Sequence, residues 1–378
     1  MATVTKTIGT SSRHYSTISA WEADLSDESI YSDGDDAVGE MYADSTFTGA
    51  TTTIDGGTSI GGSSGQDLNS VKLTVAAASR HDGTAESGAL LKPTSASGHN
   101  VGIIKIARDD FTIEWLDISM DSLDSTNTNK CINIATGAGN CTIRNMLIHD
   151  KGGNPGSTGP VAIASGLSLA TTNNWYFLNN IIYSLIETSN DSTGGINIRS
   201  FQGNLYIYNN TIYKLKSQGG SKDAVAMRFG DGTHIQANIK NNIVAGLDEG
   251  DIAAAYWMDE VPNSNRVLNS ATNLSDDTSD AAKDAEDFDV NKNDATALIG
   301  KTLAEIAFVS TTAGSEDLHI TADSVCVDAG TDLGTTGGVQ TDINGRDRDS
   351  EGDTWDIGAH EFVEDATTTG AAFMMFVD

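Results

Sequence analysis

His149, Tyr183 and Tyr213 each directly follow an isoleucine, Ile148, Ile182 and Ile212, within short stretches of similar pattern. If those isoleucines face an interior, the period-two alternation of a strand turns the following ring outward. Tyr176 and Tyr206 form a second aromatic pair, with Tyr208 beside them. A ladder of exposed rings can grip sugars by stacking, with polar edges left over for hydrogen bonds. Stacked tyrosines also suit a plain sheet surface. Carbohydrate binding through His149, Tyr183, Tyr213, Tyr176, Tyr206 and Tyr208 is the first expectation.

Metal chemistry has one candidate. Asp347, Asp349, Glu351 and Asp353 alternate as carboxylates do in a Ca²⁺ loop, although no bidentate glutamate follows at the usual spacing. Asp342, Asp356 and Glu361 read as turn residues bonded to backbone or to Arg346 and Arg348. For catalysis, the ionisable residues near the aromatic positions are Asp150, Lys151, Glu187, Asp191, Arg199, Lys222, Asp223 and Arg228. None recurs at a spacing that marks an acid–base pair, so each reads as a solvated loop charge. The sequence contains no GxSxG, HExxH or P-loop, and catalytic residues stay unassigned. Cys131, Cys141 and Cys326 are an odd set without a CxxC and read as buried thiols.

The elements that would position these residues repeat. FTIEWLDIS (111–119), CTIRNMLIH (141–149), WYFLNNIIY (175–183), LYIYNNTIY (205–213) and ANIKNNIVA (237–245) align, with steps of 30, 34, 30 and 32 residues between Trp115, Asn145, Asn179, Asn209 and Asn241. Ile113, Ile143, Phe177, Ile207 and Ile239 then make one apolar column, and Ile118, Ile148, Ile182, Ile212 and Val244 another. Stacked parallel strands place like on like, about 4.8 Å apart. The asparagine pairs sit where the chain turns between sheets, since Asn tolerates left-handed backbone and its amides can bond up the stack. Each unit also has a preceding strand: VGIIKIA, KCINIAT, VAIASGLSL, GGINIRS and DAVAMRFG. A period of two inside a period of about thirty predicts an all-β, single-stranded right-handed parallel β-helix, a solenoid.

Less regular turns extend it N-terminally through TTTIDGG (51–57), VKLTVAA (71–77) and ALLKPTS (89–95). STISAWEADL (16–25) predicts a short amphipathic cap helix with Ser16 or Thr17 as N-cap. The organisation expected is a cap and attachment segment over 1–50 and solenoid turns over 51–247. An acidic excursion with short helical pieces follows over 248–310, then a closing region over 311–363 and an apolar strand after a linker over 364–378. Within the last, Phe373, Met374, Met375, Phe376 and Val377 are candidates either for pairing with a sheet edge or neighbouring subunit or for a final strand covering their own solenoid.

Bulk properties limit the partners. The 378 residues carry a formal net charge of −31, which disfavours nucleic acid and anionic membranes and favours dispersion in solution. MATVTKTIGTSS lacks the apolar stretch of a secretory leader, and no apolar run is long enough to span a bilayer.

LHITADSVCVDAGTDLG (318–334) and TDINGRDRDSEGDTWDIGAHEF (341–362) resemble the C-terminal end of the choice-of-anchor Q group of parallel β-helix proteins. That group falls within the pectate-lyase-like superfamily, and Val325–Cys326 stands where it usually has Pro–Ala. The superfamily includes lyases, hydrolases, adhesins and inert surface proteins, so the resemblance speaks to fold more than activity. Lyases of this fold use a basic residue to take a proton and carboxylates to hold Ca²⁺, and glycosidases use a carboxylate pair. The ends, GTSSRHYSTISAWEADL and TGAAFMMFVD, resemble those of bacteriophage structural proteins, which are assembled in host cytoplasm without a leader. The expectation is a virion surface protein, either tailspike- or tail-fibre-like or capsid-decorating. Its expected partners are other virion proteins or itself, as a homo-oligomer such as a trimer, with host surface polysaccharide as an outside partner and no cofactor beyond the Ca²⁺ candidate. The alternatives are a polysaccharide lyase or glycosidase, and an extracellular cell-surface adhesin.

Overall fold

The computed structural model describes residues 1–364 except 50–51, 58–66, 95–101, 122–129, 136–137, 152–158, 166–172, 188–191, 200, 218–222, 231–234, 249–251, 259–265, 277–287, 290–293 and 352–353. The chain is a parallel β-solenoid of about seven turns. Among the described residues, over which strands and pairings are counted, three sheets run its length. The first has nine strands, from Thr3–Ile8 and Asp36–Met41 through Phe111–Glu114, Cys141–Arg144, Asn174–Leu178 and Gly203–Tyr208 to Arg266–Ala271. The second has eight, including Asp117–Ser119, Leu147–Lys151, Ile181–Glu187 and Thr211–Ser217. The third has eight, from Thr52–Ile54 to Phe288–Asp289, and only its last pairing is antiparallel.

Both predicted columns are in register. Ile113, Ile143, Phe177, Ile207 and Ile239 pair in succession, as do Ile118, Ile148, Ile182, Ile212 and Val244, and all ten side chains are buried. Burial of each such side chain contributes roughly 1.5–3 kcal/mol. The VGIIKIA-type segments form the third sheet, and all three cysteines are buried free thiols.

The asparagine pairs divide two tasks. The first of each pair, and Asn145 at the equivalent position before Met146, turns the chain from first sheet to second with left-handed backbone, φ being 52° at Asn145, 53° at Asn179, 55° at Asn209 and 56° at Asn241. The second lies inside. Asn180 Nδ2 donates to Asn210 Oδ1, Asn210 to Asn242 and Asn242 to Asn273, each at 2.9 Å. Each Oδ1 also accepts a backbone N–H from the preceding turn, as Asn210 Oδ1 does from Asn180 N at 3.1 Å. A buried carboxamide needs this many partners, and identical neighbours supply them.

Strand pairing extends beyond 51–247 at both ends. At the N-terminal end Thr3–Ile8 pairs in register with Asp36–Met41, so strands of the stack lie within 1–50 as well. The cap helix is there as Ile18–Ala23, with Thr17 Oγ1 accepting from Ala20 N and Trp21 fully buried. Stacking also continues past 247. Ile252–Met258 pairs with Asp223–Gly230, Arg266–Ala271 extends the first sheet, and Leu274–Ser275 and Leu298–Ile299 extend the second. Ala-rich IAAAYWM has good intrinsic helix formers, but a stacked neighbour strand overrides that preference. Helix within 248–310 is confined, among the described residues, to Leu303–Ile306, opened by a Thr302–Glu305 capping box.

The closing region lies on the outside of the stack. Ile306, Leu318, Ile320, Cys326, Ile343 and Ile357 pack on Leu147, Ile181, Tyr183, Tyr213 and Ile243 of the second sheet. Leu333, Val339 and Trp355 pack on Leu178 and Tyr208 of the first. Between these contacts the tail runs back along the left-handed column. Thr331 O accepts from Asn241 Nδ2, Val339 O and Thr341 O from Asn179 Nδ2, and Asp342 O from Asn145 Nδ2, at 2.6 to 3.1 Å.

Candidate functional site

The column His149, Tyr183, Tyr213 points away from the solenoid interior, as its period requires, yet it is not exposed. The three side chains are 1%, 2% and 7% accessible, and the closing region packs on Tyr183 and Tyr213. His149 stacks on Tyr183 with ring centroids 5.2 Å apart, and Tyr213 meets Phe308 edge-on at 6.0 Å. A buried ring offers no face to a sugar, so the exposure expected of these three is corrected. The covering residues, such as Phe308 on Tyr213, are distant in sequence, and no local pattern announces them.

His149 is instead the centre of a buried ion network. Its Nε2 lies 2.8 Å from Asp117 Oδ1 and its Nδ1 2.7 Å from Asp150 Oδ2. Burial pulls its pKa down, but hydrogen bonds and charge from Asp117 and Asp150 outweigh that and hold it up at about 9. Glu86 N donates to the other Asp117 oxygen at 2.7 Å. Nearby, His81 stays neutral through burial, with Nε2 against Asn145 O at 2.9 Å and Nδ1 accepting from Gly83 N.

The other predicted ionisable residues are dispersed. Lys151, Glu187 and Asp223 are buried and Arg228 is half-buried, whereas solvated loop positions were expected. Asp150 lines a small cavity with Tyr183, Glu316 and Asp317. Arg199 ends the strand Thr193–Arg199, and Asp191 and Lys222 fall outside the described residues. Of the Ca²⁺ candidates, Asp347 Oδ1 accepts from Asp349 N, and Asp349 Oδ1 accepts from Trp355 Nε1 at 2.9 Å. Glu351 closes the one-turn helix Arg348–Glu351, and Asp353 lies outside the described residues, as do Phe373, Met374, Met375, Phe376 and Val377. The turn residues behave as read. Asp342 accepts from Asn344 N, Arg346 N and Glu361 N, Asp356 from Asp328 N and Phe362 N, and Glu361 pairs with buried Arg348 at 2.5 Å.

A different surface has the shape and charge of a binding site. On the outer face of the first sheet, a cleft of about 300 Å³ is lined by Lys72, Arg80, Glu114, Trp115, Arg144 and the tail residue Gln340, among others. Three cations thus face one carboxylate in a chain whose net charge is −31. Glu114 is 3% accessible and accepts from Lys72 Nζ at 3.1 Å, Thr74 Oγ1 at 2.8 Å and Arg144 Nε at 2.7 Å. Burial alone would raise its pKa, but Arg144 and Lys72 hold it low and ionised. Arg144 Nη1 also donates to Gly337 O at 2.9 Å, fixing the tail to the sheet. Beside it Tyr176 and Tyr206, both half-buried, stack at 4.7 Å with Tyr208 edge-on to Tyr206 at 5.9 Å.

Trp115 marks this cleft. It occupies the left-handed position at φ 67°, where the following turns have Asn or Thr272. A bulky residue there is strained, and such strain concentrates at functional positions. Arg80 lies over its ring, 4.4 Å from the centroid. Sequence alignment placed Trp115 in the asparagine column, but Arg80 and Gln340 come from a loop and from the distant tail. No protein-family model matches the chain, and no curated protein matches it.

Proposed function

We propose that the chain is a rigid display solenoid, carried on a virion surface, that meets host glycan through the outer face of its first sheet. The observation that carries this reading is the half-buried Tyr176–Tyr206 stack next to the cleft. The two rings, stacked 4.7 Å apart on a fixed sheet, turn one face each to the other and align their edges, suited to the C–H and hydroxyl rim of a sugar ring. Rigidity supports display: three continuous sheets, a buried amide ladder and a lateral tail leave little for a ligand to reorganise. The virion assignment leans on the resemblance of the chain's ends to phage structural proteins.

Two measurements test the reading. Antibody-labelled electron microscopy of native particles should decorate virions, and labelling confined to particle-free material would sink the virion assignment. A glycan array read with wild type, Tyr176→Ala and Tyr206→Ala should show binding that both substitutions reduce at least tenfold. Equal binding by all three would remove the stack from the site.

A further inference from the structure

We propose that the cleft between Lys72, Arg80 and Gln340 binds one anionic sugar unit, a ring bearing a carboxylate or a sulfate, with Arg80 as its principal charge contact. The inference rests on the glycan reading and deepens it by naming the ligand's charge.

The donors left over make the argument. Arg144 is committed, with Nε and Nη2 on Glu114 and Nη1 on Gly337 O. Arg80 is not: its Nε donates to Val75 O at 3.3 Å, and among the described residues no carboxylate lies within ion-pair distance of its guanidinium. Lys72 gives one bond to Glu114 and is 38% accessible, so its ammonium has donors facing solvent. Gln340 Oε1 is buried without a hydrogen-bond partner, an acceptor suited to a hydroxyl. The cation–π contact of Arg80 with Trp115, 4.4 Å from the ring centroid, restrains the guanidinium and lowers the freedom it loses on binding. A cleft of about 300 Å³ stands at the small end of ligand pockets, which run from about 300 to 1,000 Å³. Against a net charge of −31, long-range attraction would not bring an anion here, so selection must come from these short contacts.

Ligand-observed NMR and competition with purified full-length chain test this, using glucuronate, glucose 6-sulfate, glucose and inorganic sulfate as probes. Glucuronate or glucose 6-sulfate should bind at least tenfold more tightly than glucose, and the stronger of the two identifies the anionic group. Arg80→Gln removes a cation without orphaning a buried carboxylate, and Gln340→Glu adds a negative charge to the cleft. Each should cut the affinity for the anionic sugar at least tenfold, with a thermal midpoint close to wild type confirming the fold. The proposal is overturned if glucose binds as well as the anionic sugars, or if inorganic sulfate competes as well as they do. Retained binding in both variants also overturns it. Loss of array binding in Tyr176→Ala and Tyr206→Ala together with indifference to Arg80→Gln would reject the cleft while leaving the glycan reading intact.

Discussion

Asn179 and Asn209 hold the same backbone conformation in adjacent turns, yet their amides meet different surroundings. Asn179 Nδ2 donates to Val339 O and Thr341 O, whereas neither amide atom of buried Asn209 has a partner among the described residues. Asn209→Gly should therefore change stability by less than about 1 kcal/mol, because glycine keeps the left-handed turn. Asn179→Gly should cost about 2 kcal/mol, because two tail carbonyls lose donors. Chemical denaturation of the two variants decides it, and equal losses would refute the division. The left-handed role was legible, since paired asparagines at a fixed spacing allow few alternatives. Which amide holds the tail was not, because its partners are about 160 residues away in sequence.

The strands Asp117–Ser119 and Leu147–Lys151 are joined by the His149–Asp117 contact as well as by their ladder. The folded pKa of about 9 lies above the ordinary histidine value of 6.5, so the folded state binds this proton more tightly. The resulting stabilisation, about 3 kcal/mol at most, is fully present below pH 6.5 and is lost as pH rises towards 9. His149→Gln should lower the thermal midpoint at pH 6 and differ far less from wild type at pH 9.5; a gap that widens with pH would contradict this. The amide ladder gives a second prediction at this scale. Asn210→Ala should cost about 3 kcal/mol or more, because it leaves Asn180 N–H and the Phe177 carbonyl without their buried partner. Calorimetry would read that loss directly. The registered columns were readable because a stack repeats its side chains. The strand IAAAYWM (252–258) is not legible for the complementary reason: helix preference is local, and the neighbouring strand that decides the matter is not.

Across the whole molecule, charge and cover dominate. A net charge of −31 opposes compaction, so the thermal midpoint should rise as salt increases from 0.01 M to 0.15 M and the screening length falls from roughly 30 Å to roughly 8 Å. A flat or falling midpoint would show that local ion pairs outweigh the repulsion. A chain ending at Gly300 would uncover Leu147, Ile181, Tyr183, Tyr213 and Ile243. It should bind a hydrophobic dye and unfold at a lower temperature than the full chain, as fluorescence would show. The tail also bears on ancestry. Its carbonyls meet amides on the turns of Asn241, Asn179 and Asn145 in reverse order, so Thr331–Asp342 acts as a gauge cut to one length. Repeat proteins commonly diversify by duplicating or deleting whole units. Here such an event between Asn145 and Asn241 would offer the gauge to the wrong amides, leaving that stretch to change by loop insertion instead.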